Sequence, residues 1–592
     1  MTDTILREAL ERFEESAAAT ATDRTEAAED IRFTWLGEQW PREIESMRKA
    51  ESRPCLTINR MPSFIRRVVN EGRQSKPGVI IRPVDSQADL AAAKVIQGLV
   101  RSIERRSDAE VAYDTALLHA VSGGFGFFRV SIDYVHEDSF DLECKIDRIP
   151  NPLQVHWDVA STAYDASDWA YGFVSEWLSV EEFRSKYGKK AATVDFGTDT
   201  RGDMSRWLQT DLVRVAEYWE RIERSRTIYL LDNGATIRAD VVPDALRQQM
   251  EAGGLDPAGI PDGDMLAGYL AINGLSVVRE REARHHEVKR RVLSGVEVLS
   301  EEDWPGSMIP ICPVWGEEVW VDDRRYFRSM IRDAKDPQRM LNFWRTASTE
   351  LVALAPKAPW LIEENAIPKG WEESWATANS RAHAYLMYSR GSQRPDRQPF
   401  AGIPAGALQE ALNASDDIKS VVGIYDSSLG ARSNETSGRA ILARQRESDV
   451  SNFHFLDNLA HGIAYCGRLL VELIPAVYGA RQTIRILGDD EKDEVVTLTQ
   501  QDGGAVSEDG EQKLYNLNVG RYDVVVSSGP SFATQREESR EFMLELMRQV
   551  PGAAQVIGDI VLEMFDFEGA DRIAERLRAL QQVNQAGMQN DR

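Results

Sequence analysis

Between Tyr425 and Gly479 a polar, glycine-flanked loop, residues 429–438 (LGARSNETSG), opens onto about forty residues that read as one helix. From Arg439 no proline occurs until Pro475. Apolar residues recur at Val450, Phe453, Leu456, Leu459, Ile463, Leu470, Ile474 and Val477, the three-to-four spacing of a single helix face. At about 1.5 Å per residue such a helix runs on the order of 60 Å, well beyond the roughly 8 to 20 residues usual in a globular core. An elongated subunit or an assembly is expected. The loop ahead of the helix is the first candidate for function.

The 592 residues, 42% of them apolar, supply material for several packed units, three or four by length. Residues 1–15 have neither a basic start nor an apolar run, and no stretch reaches 18 consecutive apolar residues, so neither a secretion signal nor a membrane span is expected. Cys55, Cys144, Cys312 and Cys466 lie far apart with no Cys-x-x-Cys pair, which fits a reducing compartment and argues against a zinc ribbon or a disulfide framework. The net charge of −25 repels nucleic acid on average. Its sign is not uniform: residues 489–511 hold nine carboxylates and one lysine, whereas residues 429–446 hold Arg432, Arg439, Arg444 and Arg446 against Glu435 alone.

Along the chain, residues 1–50 read as charged helix interrupted at Pro41, a segment expected to pack late or on a partner. A short strand at 56–58, a helix from Pro62 and a strand at 79–81 follow. Helices are expected at 87–104 and 108–121, the second opened by a Ser107–Glu110 capping box. Gly123, Gly124 and Gly126 then turn the chain into a meander over 127–135 and 140–149, with Trp157, Trp169 and Trp177 covering one sheet face. Residues 212–320 read as strands around an irregular insertion at 240–274, with HHEVKRRVL and WPGSMIPICPVWG forming a paired ribbon whose prolines sit at strand edges. Helices are expected on either side of Asp336-Pro337, the second over 338–354, and again at 408–425. Strands at 483–487, 495–499 and 522–526 precede C-terminal helices, one of them opened by a Thr534–Glu537 capping box.

Catalytic patterns are scarce. Gly188-Lys189 lacks the upstream glycine of a P-loop, and the Gly123–Gly126 cluster precedes strands, so it reads as a tight turn and not as a dinucleotide site. His285-His286 reads as a solvated pair, and His454 and His461 as packing or interface residues. The acidic run at 489–494 lacks EF-hand spacing. No nucleophile, base and oxyanion-hole set is visible. Neither an enzyme, nor a metal site, nor a cofactor is expected. The arginines around the loop read either as a solvated face or as sequence-independent contacts to phosphate.

Five segments, in this order and spacing, resemble the portal proteins of tailed double-stranded DNA bacteriophages, in particular the short-tailed branch. They are RPCLTINRMPSFIRRVVNEGRQ (53–74), VKRRVL with IPICPVWGE (288–317), KDPQRMLNFW with LAPKAPW (335–360), GIYDSSLGARSNETSGRAI (423–441) and GRYDVVVSSGPSFATQREE (520–538). The resemblance implies an α+β, elongated multi-domain subunit assembling as a ring, typically of twelve copies, at one capsid vertex. Through that ring DNA is packaged by a separate terminase motor and later ejected. By analogy, 1–29 is an N-terminal helical segment, 30–211 and 356–428 are wing, 212–323 is a mostly β clip and 324–355 a stem helix. The tunnel loop is 429–437, the long wing helix 438–478, further wing strands 479–533, and the helical crown and polar tail 534–592. Implied channel residues are Leu429, Gly430, Ala431, Arg432, Ser433, Asn434, Glu435, Thr436, Ser437 and Arg439. Arg284, Lys289, Arg290 and Arg291 are the implied clip contacts to motor or adaptor. Implied partners are further copies of the chain, double-stranded DNA without sequence preference, the terminase large subunit, a tail adaptor or head-completion protein, and the major capsid and scaffolding proteins, with no membrane. The implied location is the virion portal vertex, after assembly in the host cytoplasm. The competing reading is another non-enzymatic ring, a head-tail adaptor or tail component.

Overall fold

The apolar stripe finds its burial inside the chain. In the computed structural model, residues Phe453–Val477 form one 25-residue helix that passes through Pro475, with Phe455, Leu459, Ile463, Cys466, Leu469, Leu470, Leu473 and Ile474 all buried. Strands approach it on two sides. A Cβ on Gly462 would lie 2.9 Å from the Pro313 carbonyl oxygen, and one on Gly467 would lie 2.8 Å from a Val524 methyl, so glycine is what lets both strands close on the helix. A helix apolar nearly all round belongs in a core, and this one, alone among the described residues in being long and apolar enough to cross a membrane, is mostly covered by its own protein. Phe453 remains half exposed, and residues 438–451 of the expected helix lie outside the described residues. The structure describes residues 2–74, 77–84, 90–188, 207–209, 211–232, 236–238, 266, 268, 270, 274–354, 359–397, 405–424, 452–478, 483–487, 493–498, 514–515, 522–527 and 547–548.

The fold is mixed α+β, as expected. It opens with helices α1 (Thr2–Ala19), α2 (Ala21–Ile31) and α3 (Arg42–Ala50), with a single π turn at Arg32–Leu36. Next come α4 (Met61–Gln74), β1 (Gly78–Pro83), α5 (Leu90–Arg106), α6 (Ala109–Gly123) and the hairpin β2 (Phe125–Tyr134) and β3 (Leu142–Arg148). Then follow β4 (Val155–Trp157), β5 (Tyr171–Ser179), α7 (Val180–Tyr187), β6 (Leu208–Gln209), β7 (Leu212–Leu231), β8 (Thr236–Arg238), β9 (Val277–Ser294) and β10 (Val298–Trp304). The next elements are β11 (Ile311–Trp315), β12 (Glu317–Val321), β13 (Arg324–Arg328), α8 (Lys335–Leu354), β14 (Trp360–Leu361), α9 (Glu372–Ala376), β15 (Asp396–Arg397) and α10 (Ala405–Val422). The long helix is α11, and β16 (Thr483–Leu487), β17 (Asp493–Leu498), β18 (Leu514–Tyr515) and β19 (Tyr522–Ser527) complete the described strands.

The largest core wraps α11 with α4, α5, α6, the three-stranded sheet β11-β2-β3 and the antiparallel pair β1-β19. Gly126 is indispensable there: a Cβ would stand 2.0 Å from the Ala116 carbonyl oxygen, because β2 lies directly on α6. Three of the cysteines, Cys144, Cys312 and Cys466, are buried in this core as free thiols, and burial pushes the Cys144 thiol up to about 12. A second core is aromatic, with Phe125, Phe127, Trp157, Trp169, Trp219, Trp315 and Phe327; Trp315 and Phe327 stack at 4.2 Å. The N-terminus builds a third. Phe13 of α1 packs on Phe173 and Trp207, and Ala9 is fully buried beside them. The first helix is thus held within its own chain and is not left waiting for a partner.

Two of the segments singled out in the sequence meet on a polar ladder. The strand read at 56–58 does not form: residues 56–60 have no strand partner among the described residues, and side chains of α8 take that place. The amides of Leu56, Ile58 and Arg60 donate to Thr346 Oγ1 (3.1 Å), Asn342 Oδ1 (2.8 Å) and Gln338 Oε1 (3.3 Å). Two residues of extended chain span about 6.7 Å and four of helix about 6 Å, so every second amide meets every fourth side chain. Asn342 also donates to Gln39 Oε1 at 2.7 Å, and Gln338 returns a bond to the Ile58 carbonyl at 2.8 Å.

Other expectations need correction. The helix assigned to 324–355 starts only at Lys335. Before it, β12 and β13 form a hairpin whose turn residues Asp322 and Asp323 both have positive φ (48° and 60°), the left-handed pair a tight two-residue turn demands. Asp336-Pro337 falls in the first turn of α8 and separates no two helices. The Ser107 box does not form: Asp108 caps α6 in a left-handed conformation (φ 49°), without a side-chain cap bond. HHEVKRRVL lies in β9 and pairs with β7 and β10, whereas ICPVW forms β11 at the edge of another sheet, paired with β2. Residues 240–265 of the insertion and the 534 capping box lie outside the described residues.

Candidate functional site

One part of the fold leaves the cores. In the sheet ordered β10-β9-β7-β5-β4, β5 flanks β7 only over Leu212–Glu220, and β10 flanks β9 only over Val288–Leu293. The β7–β9 ladder continues without them to Leu231↔Val277. Residues 222–231 and 277–287 therefore project as a two-stranded arm, about 30 Å long at 3.3 Å per residue. Near its end β8 pairs with β7, and Tyr229, Leu231, Ile237, Leu266 and Leu270 form a small apolar cluster. The boundary expected at 211/212 runs through this sheet, because β5 and β7 pair across it.

The base of the arm is a lattice of ion pairs. Arg290 donates to Glu217 and Glu302, both at 3.0 Å; Arg291 donates to Glu220 (2.7 Å) and Glu301 (3.3 Å). Lys289 lies 3.1 Å from Asp303 and 3.5 Å from Glu301. Arg290 and Arg291 are each bracketed by one carboxylate from β7 and one from β10, and Lys289 is held by two from β10. At Glu220 burial works to raise the carboxyl's pKa, but Arg291 and Arg12 outweigh it and the net shift is downward. Arg291 is buried, so it holds strands together and presents no charge to a partner. Arg284, farther out, is the exposed member of the expected four, its side chain 81% accessible although within 3.2 Å of Glu223.

Strand alternation sorts the outer arm into two faces. Residues paired across the ladder share a face: Arg224 with His285, Arg226 with Ala283, Ile228 with Arg281 and Leu230 with Arg279. Ile228 also pairs with Arg238 of β8, which adds a fifth arginine. One face thus carries Arg224, Arg226, Arg238, Arg279 and Arg281, with Glu287 as its carboxylate, 3.5 Å from Arg224. His285 lies among them: burial first, then Arg226 and Arg238, lower its pKa. The opposite face carries Glu223, Glu280, Glu282 and Arg284. The arginine face was missed in the sequence, where the contiguous run Lys289–Arg291 drew attention; the signal was the alternation in VVREREAR.

The expected channel residues Leu429, Gly430, Ala431, Arg432, Ser433, Asn434, Glu435, Thr436, Ser437 and Arg439 all lie outside the described residues. The two histidines of α11 are half exposed, His454 lying 3.6 Å from Glu317 and His461 stacking edge-on against Tyr164. Among the described residues no group of His, Cys, Asp and Glu is arranged to hold a metal ion. The described residues supply aromatic and aliphatic cores and a charged two-stranded arm beside them.

Residues 10–592 match the family described as phage P22-like portal protein. A portal protein of Acyrthosiphon pisum secondary endosymbiont phage 1 is 26% identical over 595 residues, an alignment covering 96% of this chain and 79% of that protein.

Proposed function

Because the chain belongs to the phage P22-like portal protein family, we propose that it assembles into a ring, of twelve copies by analogy, at one vertex of the capsid. Through that ring a terminase motor packages double-stranded DNA, and the DNA later leaves through it. The observation that carries the reading is the collinear family match from residue 10 to the last residue, which favours a portal over an adaptor or tail component. Its role is structural. Its partners are copies of itself, DNA, the terminase large subunit, a tail adaptor or head-completion protein, and the capsid and scaffolding proteins. The ring takes its place in the virion after assembly in the host cytoplasm.

In this reading the cores form the wing, α8 forms the stem, and the arm of β7 and β9 lies in the clip. The arm meets motor or adaptor, with Arg284 reaching outward and Lys289, Arg290 and Arg291 holding its base. Residues 429–437 with Arg439 face the channel, 438–478 form the helix behind it, and 534–592 the crown. At −25 per chain, a dodecamer carries on the order of −300, so a duplex is repelled from most of the wall and slides past sparse arginines without long-lived binding. Cryo-electron microscopy of the purified full-length protein tests the reading. A ring with a central channel, and Arg432, Asn434 and Arg439 near its axis, is expected. A compact monomer defeats the ring. All three residues more than about 20 Å from the axis, some two Debye lengths at 0.1 M salt, defeat the loop assignment.

A further inference from the structure

The outer arm bears opposite charges on its two faces at matching spacing. On one face Arg279 and Arg281 are two residues apart on β9, with Arg238 of β8 beside them; on the other, Glu280 and Glu282 repeat the same interval of about 6.8 Å, one residue out of step. All five side chains are exposed, and none has an ion-pair partner among the described residues, whereas Lys289, Arg290 and Arg291 at the base are each paired twice. Unpaired charges arranged in this way are complementary to a second copy of the same surface.

Resting on the ring reading above, we propose that the arms of neighbouring subunits stack face to face, the arginine face of one on the glutamate face of the next. Such a contact is heterologous: each copy offers one face and accepts the other, and in the closed ring of the reading above every face is matched. It also answers an electrostatic difficulty. Identical chains of net charge −25 repel one another, and a local contact between opposite charges offsets that repulsion where the arms meet and sets their register. A nucleic-acid duplex is the competing occupant. It would use the arginine face alone and would be repelled by the carboxylates opposite; a second copy uses both.

Two variants of the full-length chain test the proposal. Arg279→Glu/Arg281→Glu turns the β9 positions of both outer faces acidic, with Arg238 of β8 left in place, and Glu280→Arg/Glu282→Arg turns the β9 positions of both basic. All four positions are exposed, and thermal melting checks that each variant folds. By sedimentation velocity and negative-stain microscopy, each variant alone is expected to lose the ring species. An equimolar mixture regains it, and so does the chain carrying all four substitutions, whose faces are exchanged. In the wild type, the subunit concentration at half assembly should rise roughly tenfold or more between about 0.05 and 1 M salt, as the Debye length falls toward 3 Å. Either variant forming rings alone as readily as the wild type overturns the proposal, as does a mixture of folded variants that fails to assemble, or salt-independent assembly. An Arg279→Glu/Arg281→Glu ring that is intact but has lost retention of duplex DNA assigns the face to nucleic acid and overturns it too. A wild-type chain that forms no ring at any salt removes the ring reading itself, a result distinct from all of these.

Discussion

Replacing Asn342 by leucine should loosen the segment 54–60 from α8 far more than the change in volume suggests. Asn342 Oδ1 accepts from the Ile58 amide at 2.8 Å, and its Nδ2 donates to Gln39 Oε1 at 2.7 Å, all within a site where Asn342 is 1% exposed. Leucine strands both of these partners and also removes the oxygen to which Gln338 Nε2 donates at 3.2 Å. An orphaned buried donor or acceptor costs about 1–3 kcal/mol, and leucine burial returns part of this, so a local loss of about 3 kcal/mol is expected. Thr346→Val strands only the Leu56 amide, at about 1.5 kcal/mol. A global unfolding midpoint averages over several cores and does not resolve the opening of this one segment. Amide hydrogen exchange followed by mass spectrometry on peptides covering 54–60 reads the local opening directly. At about 1.4 kcal/mol per factor of ten, the leucine variant should exchange there roughly 150-fold faster and the valine variant roughly tenfold faster. Protection within about threefold of wild type for Asn342→Leu, or a valine variant as exposed as the leucine one, would refute the idea that the ladder holds this segment.

Three further outcomes follow from the main core. Burial raises Glu104 to about 7 from the ordinary 4.5, although the Tyr113 hydroxyl donates to it at 2.9 Å. The folded chain then holds a proton that the unfolded chain releases, so this group's contribution to stability falls as pH rises from about 4.5 to 7. Glu104→Gln should gain about 1–2 kcal/mol over wild type at pH 8 and little at pH 4.5, a difference measurable from paired denaturant titrations; an equal effect at both pH values contradicts the assignment. Gly126→Ala places a methyl 2.0 Å from the Ala116 carbonyl oxygen, in a contact between two backbones that no rotamer relieves, and should cost about 3 kcal/mol or more in thermal melts. Gly78→Ala, with nothing within 4 Å, should change stability by less than about 0.5 kcal/mol.

What was legible in the sequence was local. Period-two runs located β2 and β3 to within a residue or two, and the apolar spacing located α11, because both patterns report a face that some core must cover. What was not legible depended on partners distant in the chain. Residues 56–60 have the composition of a strand and an extended backbone, but their partner is the polar face of a helix some 280 residues later. Lys289, Arg290 and Arg291 look like a binding patch in one dimension; only the register of β9 between β7 and β10 shows them neutralised by Glu217, Glu220, Glu301, Glu302 and Asp303. Arg279 and Arg281 look diluted by the glutamates between them, until strand geometry sends the two signs to opposite faces. The Ser107 box failed for a different reason: α6 begins from a left-handed Asp108, a backbone choice that leaves the serine out of capping position.

The pairing of β1 with β19 has a consequence for the birth of the molecule. Gly78 lies opposite Ser527 and Pro83 opposite Tyr522, on the flank of α11. At about 5–20 residues per second, the ribosome takes roughly 20 to 90 seconds to deliver the later strand after the earlier one. During that interval β1, with Val79 and Ile81 on its inward side, has an open edge of the kind that recruits other chains. The main core cannot close from the N-terminus forward; it waits until residues 522–527 have been made. A nascent chain of this kind gains from slow, shielded synthesis, and truncation anywhere before residue 522 leaves an unsealed edge beside the longest described helix.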